Sequence, residues 1–501
     1  MEENSAGSVT ASSKKNLWKV IGASSLGTLI EWYDFYIFGS LAIVISTKFF
    51  PPDNPTAAFL STLATFAAGF VVRPFGALFF GRLGDIIGRK YTFMVTLLLM
   101  GLSTCAIGLV PGYETIGFIA PILVLLLRLL QGLALGGEYG GAATYVAEHS
   151  EPHKRGYRTS WIQTTATFGL FISLAVIMLT KSSMSADAFD DWGWRLPFLL
   201  SSVMVVVSYF IRRNMDESPL FKKAKSEGKT STNPLKESFG NKFNFKFVLL
   251  ALFGATMGQG VIWYTGQFYA LSFLQNVCHV DFDQTNFIIG AALLGGTGFF
   301  VFFGWLSDRI GRKPVMLAGM LLAILTYRPI YDRMYQLTDV TAKQELVDQQ
   351  RTEGNTLVKV YDDGSTATWV TAGETTKQTV HVGRSAFWSI VLLVFIQVLY
   401  VTMVYGPIAA FLVEMFPVRI RYTSMSLPYH VGNGIFGGLL PAVATYLVTK
   451  AQVANTAVQQ ASEAVPYDKP HLAGLWYPIL IGGVSFIIGL LYLKNKNQNV
   501  Q

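Results

Sequence analysis

The chain has 501 residues, of which 51% are hydrophobic and only 14% are charged. Soluble domains usually have about a quarter of their residues charged, so this composition argues against a soluble protein. The formal net charge is +8, and the two cysteines, Cys105 and Cys278, fall in different predicted helices. We therefore predict no disulfide, no metal site and no bound cofactor. The polar start of the chain predicts no signal peptide.

Apolar windows of roughly 20 residues, each long enough to cross ~30 Å of hydrocarbon, recur along the whole chain. They predict an all-α membrane protein with twelve transmembrane helices. The predicted spans are residues 19–47, 57–81, 91–111, 116–146, 158–181, 193–212, 246–276, 284–304, 314–331, 385–413, 422–449 and 472–493.

Lysine and arginine are concentrated in the loops on the side of the N-terminus, and such loops stay in the cytoplasm. A basic middle segment, counted from Arg212, is expected to face the anionic lipid of that leaflet and not nucleic acid.

Within a later polar insert at 332–384, we predict a short helix over 342–350 and a hairpin of 358–361 with 367–370. The predicted divisions are a cytoplasmic N-terminal tail (1–18), an N-terminal six-helix half (19–212), a basic cytoplasmic linker (213–245), a C-terminal six-helix half (246–493) with an extracytoplasmic insert (332–384), and a cytoplasmic C-terminal tail (494–501).

The first predicted helix contains two carboxylates, Glu31 and Asp34. Residues three apart share a helix face, and a charge at the bilayer centre costs about 2.5–3.5 kcal/mol. Both side chains are therefore expected to face the protein interior, either in a structural ion pair or as groups that bind a proton.

Arginine occurs inside two later apolar runs, as Arg73 in the second helix and Arg128 in the fourth. A buried Arg needs a carboxylate, a water-filled cavity or an anionic ligand. At ~1.5 Å of rise per residue, Arg128 and Asp34 lie at similar depth near the midplane. The same estimate places Glu138 and Glu31 near the depth of Arg73, so either carboxylate is a predicted ionic partner of Arg73.

A charged ten-residue loop occurs twice, at 81–90 and 304–313, with Gly, Asp, Gly, Arg and Lys at the same spacing. A carboxylate also ends the fourth and the tenth predicted helix, as Glu148 and Glu414. This internal match predicts a duplicated chain. It also predicts ionic contacts that latch these helix ends to the repeated loops.

A shorter match aligns Trp32-Tyr33 in the first half with Trp263-Tyr264 in the second. In that alignment, Thr265 stands opposite Asp34. Buried charge is thus concentrated in the first half, whereas the second half presents neutral hydrogen-bonding side chains.

The repeated loop resembles the signature of the major facilitator superfamily. The stretches 31–35, 128–132 and 136–141 resemble the metabolite:proton symporter family within it. The resemblance implies two pseudo-symmetric six-helix halves around a central cavity, and carriage of small carboxylates or zwitterions with protons. We predict a multi-pass monomer in the lipid of a plasma membrane, the bacterial inner membrane, and the positive charges of the loops predict that both termini are cytoplasmic.

Two buried arginines and His430 suit an anion, so we predict proton-coupled uptake of a small organic acid by alternating access. A proton-coupled carrier of a zwitterionic osmolyte such as proline or betaine is the alternative. A membrane nutrient sensor that does not transport is the alternative of another class. The sequence has no metal-ligand cluster and no phosphate-binding glycine loop, so we predict that it is not an enzyme.

The predicted site has three groups of residues. Asp34 is predicted to carry the proton, with Glu31 and Glu138 as second choices. The predicted substrate-binding residues are Arg128 first, followed by Arg73, Tyr33, Gln131, Gln259, Gln267, Tyr400, Tyr429, His430 and Asn433. The predicted cytoplasmic gate consists of Gly81, Asp85, Arg89, Glu148, Gly304, Asp308, Arg312 and Glu414.

These assignments lead to one hypothesis of coupling. Arg128 pairs with Asp34 in the empty carrier, and an incoming carboxylate competes for the guanidinium. Asp34 then loses its partner in a low-dielectric cavity, so substrate binding and proton binding favour each other.

Overall fold

A computed structural model describes residues 6–53, 55–372, 375–460 and 466–494. Within these ranges, eleven helices are long and apolar enough to cross a membrane, and a bent helix pair near the N-terminus makes a twelfth span. The predicted all-α, twelve-helix architecture is therefore confirmed. The predicted tail at 494–501 lies, except for its first residue, outside the described residues.

The spans are labelled α1 to α12 in chain order. The first six are α1 (Ala6–Ser40 with Ala42–Phe49), α2 (Pro55–Val71 with Arg73–Ile86), α3 (Arg89–Leu109), α4 (Ile119–Glu148), α5 (Pro152–Ser182) and α6 (Gly193–Arg213). The second six are α7 (Lys242–Asn276), α8 (Phe282–Ile310), α9 (Arg312–Thr338), α10 (Arg384–Met415), α11 (Arg421–Ala457) and α12 (Pro470–Tyr492). Short helices lie in the connections at Tyr113–Ile116, Ala186–Asp191, Pro219–Ser226 and Lys236–Gly240.

Several spans are interrupted, and the interruptions have local causes. The two parts of α1 meet at an angle of 64° beside Leu41. In α2 the helix restarts at Arg73, because Pro74 has no N–H to continue the preceding turn. Spans α7 and α11 contain π-helical turns, at Leu252–Thr256 and Thr265–Tyr269 in α7 and at Gly432–Gly437 in α11. Such turns leave backbone groups without their usual partners and occur often at functional sites.

Glycine brings backbones into contact at two places that position the cavity. A Cβ on Gly136 of α4 would lie 2.2 Å from the Arg73 carbonyl oxygen of α2. A Cβ on Gly260 of α7 would lie 2.5 Å from the Gly432 carbonyl oxygen of α11. These helix pairs therefore pack at a distance that larger side chains forbid, and small residues at such contacts are typical of membrane helices.

A four-stranded antiparallel sheet lies between α9 and α10, with the strand order β1-β2-β3-β4. The strands are β1 (Arg351–Glu353), β2 (Thr356–Val360), β3 (Thr366–Ala372) and β4 (Thr375–His381). The predicted hairpin corresponds to β2 and β3 and is confirmed. The predicted helix over 342–350 is wrong, because this segment bonds to the edge of β2, with the Leu346 N–H donating to the Val360 carbonyl at 2.9 Å.

The sheet is attached to the bundle where α8 begins. The Asp281 N–H donates to the Val380 carbonyl at 2.8 Å, and the Val380 N–H donates to the His279 carbonyl at 2.7 Å. Span α9 continues to Thr338, beyond its predicted end at 331. We call the end of the bundle that carries the sheet the sheet face. The opposite end, with the repeated loops 81–90 and 304–313, is the motif face.

Candidate functional site

A partly enclosed cavity lies between the two six-helix halves. Its walls come from α1, α2, α4 and α5 of the first half and from α7, α10 and α11 of the second. The lining residues are Thr28, Glu31, Trp32, Arg73, Tyr139, Ile162, Gln163, Trp263, Tyr264, Tyr405, Tyr429, His430, Asn433 and Gly434.

Aromatic rings join the two halves at the cavity. Trp32 of α1 lies against Trp263 of α7, with ring centroids 5.3 Å apart. Tyr139 of α4 stacks on Tyr429 of α11 at 3.7 Å with an interplanar angle of 6°. The tryptophan contact brings together residues that the internal repeat aligned. Six lining residues with aromatic or amide side chains were not among the predicted binding residues, namely Trp32, Tyr139, Gln163, Trp263, Tyr264 and Tyr405. The family-like stretches 31–35 and 136–141 contain Trp32 and Tyr139, and the Trp-Tyr match contains Trp263 and Tyr264.

Five of the predicted residues line the cavity, namely Glu31, Arg73, Tyr429, His430 and Asn433. Others lie behind its wall. The Tyr33 hydroxyl donates to the Pro197 carbonyl at 2.8 Å, and Gln259 bonds to Asn433. The Tyr400 hydroxyl accepts from Thr326 at 3.1 Å, and Gln267 is buried outside the lining.

Arg73 is the cation of the cavity wall. It begins the second segment of α2, and its guanidinium lies over the Phe70 ring at 4.3 Å. In the described part of the chain, Arg73 has no ion pair within 4.0 Å, and its Nε has no hydrogen-bond partner. Glu31 faces the same cavity. A guanidinium in this position is suited to a bidentate contact with a carboxylate.

Glu138 does not neutralise Arg73, which corrects one of the two predicted partners. It pairs instead with Arg212 of α6 at 2.7 Å, and both side chains are 1% exposed. Thr96 donates to the second Glu138 oxygen at 2.8 Å, and the Phe93 carbonyl accepts from Arg212 at 2.7 Å. Arg212 is therefore a buried end of α6, and its assignment to the basic loop is wrong.

Asp34 and Arg128 do not form the direct ion pair that the coupling hypothesis assumed. Thr104 donates to Asp34 Oδ2 at 2.7 Å, and Gln131 donates to the Thr104 hydroxyl at 2.7 Å. Arg128 in turn donates to the Gln131 side-chain oxygen. Its guanidinium also lies 4.7 Å from the centre of the Phe38 ring. Arg128 thus belongs to a buried polar chain next to the cavity, and Arg73 is the arginine that lines it.

The motif face is closed by two equivalent contacts between the halves. Asp85 at the end of α2 accepts from the Thr423 N–H at 2.9 Å and from the Tyr422 N–H at 3.3 Å, where α11 begins. Asp308 at the end of α8 accepts from the Tyr157 N–H at 2.7 Å and from the Gly156 N–H at 2.9 Å, where α5 begins. A carboxylate at a helix N-terminus meets free N–H groups and the positive end of the helix dipole.

Arginines and glutamates surround each of these aspartates. Arg89 lies 3.1 Å from Asp85 and 3.3 Å from Glu148, and Glu148 lies 2.9 Å from Arg421 of the other half. Arg312 pairs with both Asp308 and Glu414. The glycines allow this approach, since a Cβ on Gly81 would be 2.9 Å from the Thr423 Cα, and one on Gly304 would be 2.4 Å from the Ser160 Oγ. The structure therefore brings all eight predicted gate residues into two clusters.

Comparisons with known proteins decide the family. A family model described as "Sugar (and other) transporter" matches residues 19–242. The alpha-ketoglutarate permease of Escherichia coli strain K12 is 32% identical over 493 residues, which are 98% of this chain and 97% of the permease. The chain belongs to the major facilitator superfamily.

Other relatives of this superfamily member extend the comparison. The proline/betaine transporter of Salmonella typhimurium strain LT2 is 35% identical over 322 residues, 63% of this chain and 64% of that transporter. The solved structure of the proton:xylose symporter XylE bound to 6-bromo-6-deoxy-D-glucose has a TM-score of 0.68, with 15% identity over 96% of each chain. The family and the fold predicted from the sequence are both confirmed.

The buried pair between Glu138 and Arg212 is expected to stabilise the N-terminal half of the transporter. Changing Glu138 to Ala leaves the guanidinium buried without its counter-charge, which should destabilise the fold by about 3–5 kcal/mol. Thermal unfolding of the purified protein in detergent measures this loss.

A double variant with Glu138→Gln and Arg212→Met is the matched control, because it removes both charges. It is expected to unfold at a higher temperature than Glu138→Ala alone. Equal unfolding temperatures for the parent and Glu138→Ala would contradict a stabilising role of the pair.

Proposed function

We propose that this transporter takes up a small organic acid together with protons, by alternating access of the cavity to the two sides of a membrane. The observation that carries the proposal is Arg73, a cation on the cavity wall with no ion pair within 4.0 Å among the described residues, and with Glu31 as a carboxylate that faces the same cavity. A guanidinium without a direct ion pair in such a place is suited to an anionic ligand. The named substrates of the permease and of the proline/betaine transporter all contain a carboxylate, which supports the same class of ligand.

A zwitterionic osmolyte is the second candidate substrate, and one observation favours it. Glu31 and several aromatic rings share the cavity with Arg73, so a positive group on the substrate would also find partners. Both candidates have the carboxylate that Arg73 would hold, and they differ in what the rest of the molecule presents.

The motif face is proposed to be the cytoplasmic side of a bacterial inner membrane, with both termini inside. The excess of Lys and Arg in the loops of that face supports this orientation. The linker 213–245 then lies in the cytoplasm and the insert 332–384 outside. The transporter is proposed to work as a monomer in contact with membrane lipid, without nucleic acid or cofactor and without enzymatic activity.

Asp34 is proposed to carry the proton. It is 1% exposed, and no cation within the described ranges lies within 4.0 Å of it. A buried carboxylate without a counter-ion is costly as an anion, so Asp34 holds its proton in this closed arrangement. Glu31, in the cavity wall, is the second choice. Glu138 is disfavoured, because Arg212 already neutralises it.

The polar chain next to the cavity offers a route for coupling. Gln131 stands between Arg128 and Thr104, so a small shift of α4 against α1 would replace Gln131 by Asp34 as the partner of Arg128. Asp34 would then release its proton to the side that is open. Binding of a carboxylate at Arg73 and of a proton at Asp34 both favour the closed arrangement, and two ligands that favour one state favour each other.

The two motif-face clusters are proposed to act as a gate that stabilises the closed state. Changing Asp85 to Asn weakens its charge-assisted bonds to the start of α11, and each such bond contributes about 1.5–3 kcal/mol. Turnover in proteoliposomes is expected to fall about tenfold or more, and the substrate dissociation constant is expected to rise by a smaller factor than turnover falls. Asp216→Asn, at an exposed carboxylate near the same face, is the control. An unchanged transport rate in Asp85→Asn would argue against the gate.

The proposed function is tested by uptake into proteoliposomes that contain the purified full-length protein. A panel of labelled organic acids, with proline and glycine betaine included, is supplied with and without a pH gradient that is alkaline inside. Accumulation of a carboxylate above its external concentration, only with the gradient, is the expected result. Binding without uptake would instead indicate a sensor, and uptake that ignores the gradient would contradict symport.

A further inference from the structure

A groove on the outer surface of the bundle lies at the motif face, between α3 and α6. Its volume is about 430 Å³. The lining residues come from the beginning of α3, the end of α6 and the start of the linker, namely Lys90, Tyr91, Met94, Tyr209, Arg213 and Glu217. None of them lines the transport cavity or belongs to the eight gate residues, so the groove is a separate feature of the surface.

The groove contains two cations, and neither has an ion pair within 4.0 Å among the described residues. Arg213 is the last residue of α6, and its side chain is exposed. Lys90 donates from Nζ to the Arg213 carbonyl oxygen at 2.8 Å, which holds the ammonium beside the end of α6. An ammonium has three N–H donors and a guanidinium has five, so both side chains keep donors for a ligand.

The third charged side chain, Glu217, is bonded to the main chain. Its oxygens accept from the N–H groups of Arg89 at 3.1 Å and of Lys90 at 3.2 Å, where α3 begins. Gly88 permits this approach, since a Cβ there would lie 2.2 Å from Glu217 Oε2. The carboxylate therefore meets the positive end of the α3 dipole. Two cations and one carboxylate leave the groove with a net positive charge.

An apolar surface continues from the groove along both helices. Tyr91 and Tyr209 lie next to the cations, and tyrosine is typical of the boundary between lipid headgroups and hydrocarbon. Leu102 shares a helix face with Tyr91, and Val206 shares one with Tyr209; these two side chains are 64% and 52% exposed. The surface as a whole thus matches a ligand that is anionic at one end and apolar along the rest.

We propose that this groove binds the headgroup of an anionic phospholipid, with its phosphate held by Lys90 and Arg213 and its acyl chains lying along α3 and α6. Lysine and arginine N–H groups form strong charge-assisted bonds to phosphate, and basic pockets between membrane helices suit such headgroups. A soluble phosphate compound shares the headgroup chemistry but leaves the apolar part of the surface uncovered. The proposal does not depend on which substrate is transported.

Lipid binding to the purified full-length protein in detergent tests the proposal. Native mass spectrometry measures apparent dissociation constants for phosphatidylglycerol, for phosphatidylcholine with the same acyl chains, and for glycerol 3-phosphate. The parent protein is expected to bind the first phosphatidylglycerol at least about tenfold more tightly than either of the other two compounds.

Matched charge variants locate the bound lipid. The double variant Lys90→Gln with Arg213→Gln is expected to lose about tenfold or more in affinity for phosphatidylglycerol and little for phosphatidylcholine. Arg213→Gln alone changes only an exposed side chain and is expected to lose about fivefold. Lys242→Gln with Lys246→Gln, at exposed lysines where α7 begins on the same face, removes the same charge and is expected to bind phosphatidylglycerol as the parent does.

Three results would overturn the proposal. Equal affinity of the parent for the two lipids would show that the groove does not select an anionic headgroup. An equal loss in the groove pair and the α7 pair would assign the preference to the overall charge of the motif face. Glycerol 3-phosphate that binds as tightly as phosphatidylglycerol would indicate a site for a soluble phosphate compound. If the groove pair unfolds at a lower temperature than the parent, Arg213→Gln alone decides the comparison.

Discussion

Changing Arg73 to Ala is expected to weaken the binding of a carboxylate substrate about 100-fold. The guanidinium offers two parallel N–H groups and a charge, and each charge-assisted hydrogen bond contributes about 1.5–3 kcal/mol. Arg73→Lys keeps the charge but loses the planar fork, so its loss should be smaller, about tenfold. Calorimetry on the parent, Arg73→Lys and Arg73→Ala measures the three substrate dissociation constants, which are expected to rise in that order.

Two other arginines serve as comparisons for this experiment. Arg82→Ala removes an exposed arginine of the same span and is expected to bind substrate as the parent does. Arg128→Ala tests the first choice made from the sequence. If Arg128→Ala loses affinity and Arg73→Ala keeps it, the assignment of the carboxylate contact to Arg73 is wrong.

Changing Asp34 to Asn is expected to abolish proton-driven accumulation, with the internal concentration of substrate falling to about the external one. Asparagine imitates the protonated carboxyl but cannot release a proton, so the loaded carrier still forms and still exchanges substrate. Exchange of labelled for unlabelled substrate across proteoliposomes should remain within about threefold of the parent. Uptake driven by a pH gradient measures the loss directly.

The controls for Asp34 separate the proton site from the general effect of a lost carboxylate. Glu114→Gln, at an exposed glutamate between α3 and α4, is expected to accumulate substrate normally. Glu31→Gln tests the second choice on the same helix. If accumulation survives in Asp34→Asn but disappears in Glu31→Gln, the proton-carrying residue is Glu31 in the cavity wall.

The fold and the pairing of residues in the motif-face contacts were predictable from the sequence, because both depend on local patterns. A window of apolar residues long enough for the bilayer is read along the chain without knowledge of its neighbours. The repeat of Asp85 at Asp308, with Arg89 at Arg312, indicated that the same contact forms twice. To use these patterns, one does not need to know how each helix is rotated about its own axis.

The identity of the cavity arginine was not predictable in that way. Depth along the membrane placed Arg128 beside Asp34, but rise per residue gives height and not direction around the helix. The restart of α2 before Pro74 presents Arg73 to the cavity, and the polar chain through Gln131 keeps Arg128 out of it. Arg212 was misassigned because a cation at the end of an apolar run looks the same whether it faces water or a buried glutamate.

The insert shows a similar limit. Alternating residues predicted the β2–β3 hairpin, since strand pairing of neighbours is local. The segment at 342–350 forms no α-helix but a 3-10 turn at Val347–Gln349, because it bonds to the edge of strand β2, and that edge exists only after the hairpin has formed. The edge of β2 is formed by folding of the hairpin, so the sequence of residues 342–350 does not indicate that they will pair with it.

Asp85 and Asp308 bind the opposite half through main-chain N–H groups, and this affects how far the sequences of the two halves can differ. Each aspartate binds main-chain N–H groups, so what it recognises is a helix beginning and not a side chain. When Glu148 is aligned with Glu414, Gly156-Tyr157 in one half corresponds to Tyr422-Thr423 in the other, and neither position has the same residue in both halves. The residues at the two helix beginnings can therefore differ: the Tyr422 hydroxyl donates to the Gly137 carbonyl, whereas a Cβ on Gly156 would lie 2.4 Å from the Gly304 carbonyl oxygen. A proline would remove the N–H donor, so a contact of this kind tolerates different side chains in the two halves but not that substitution.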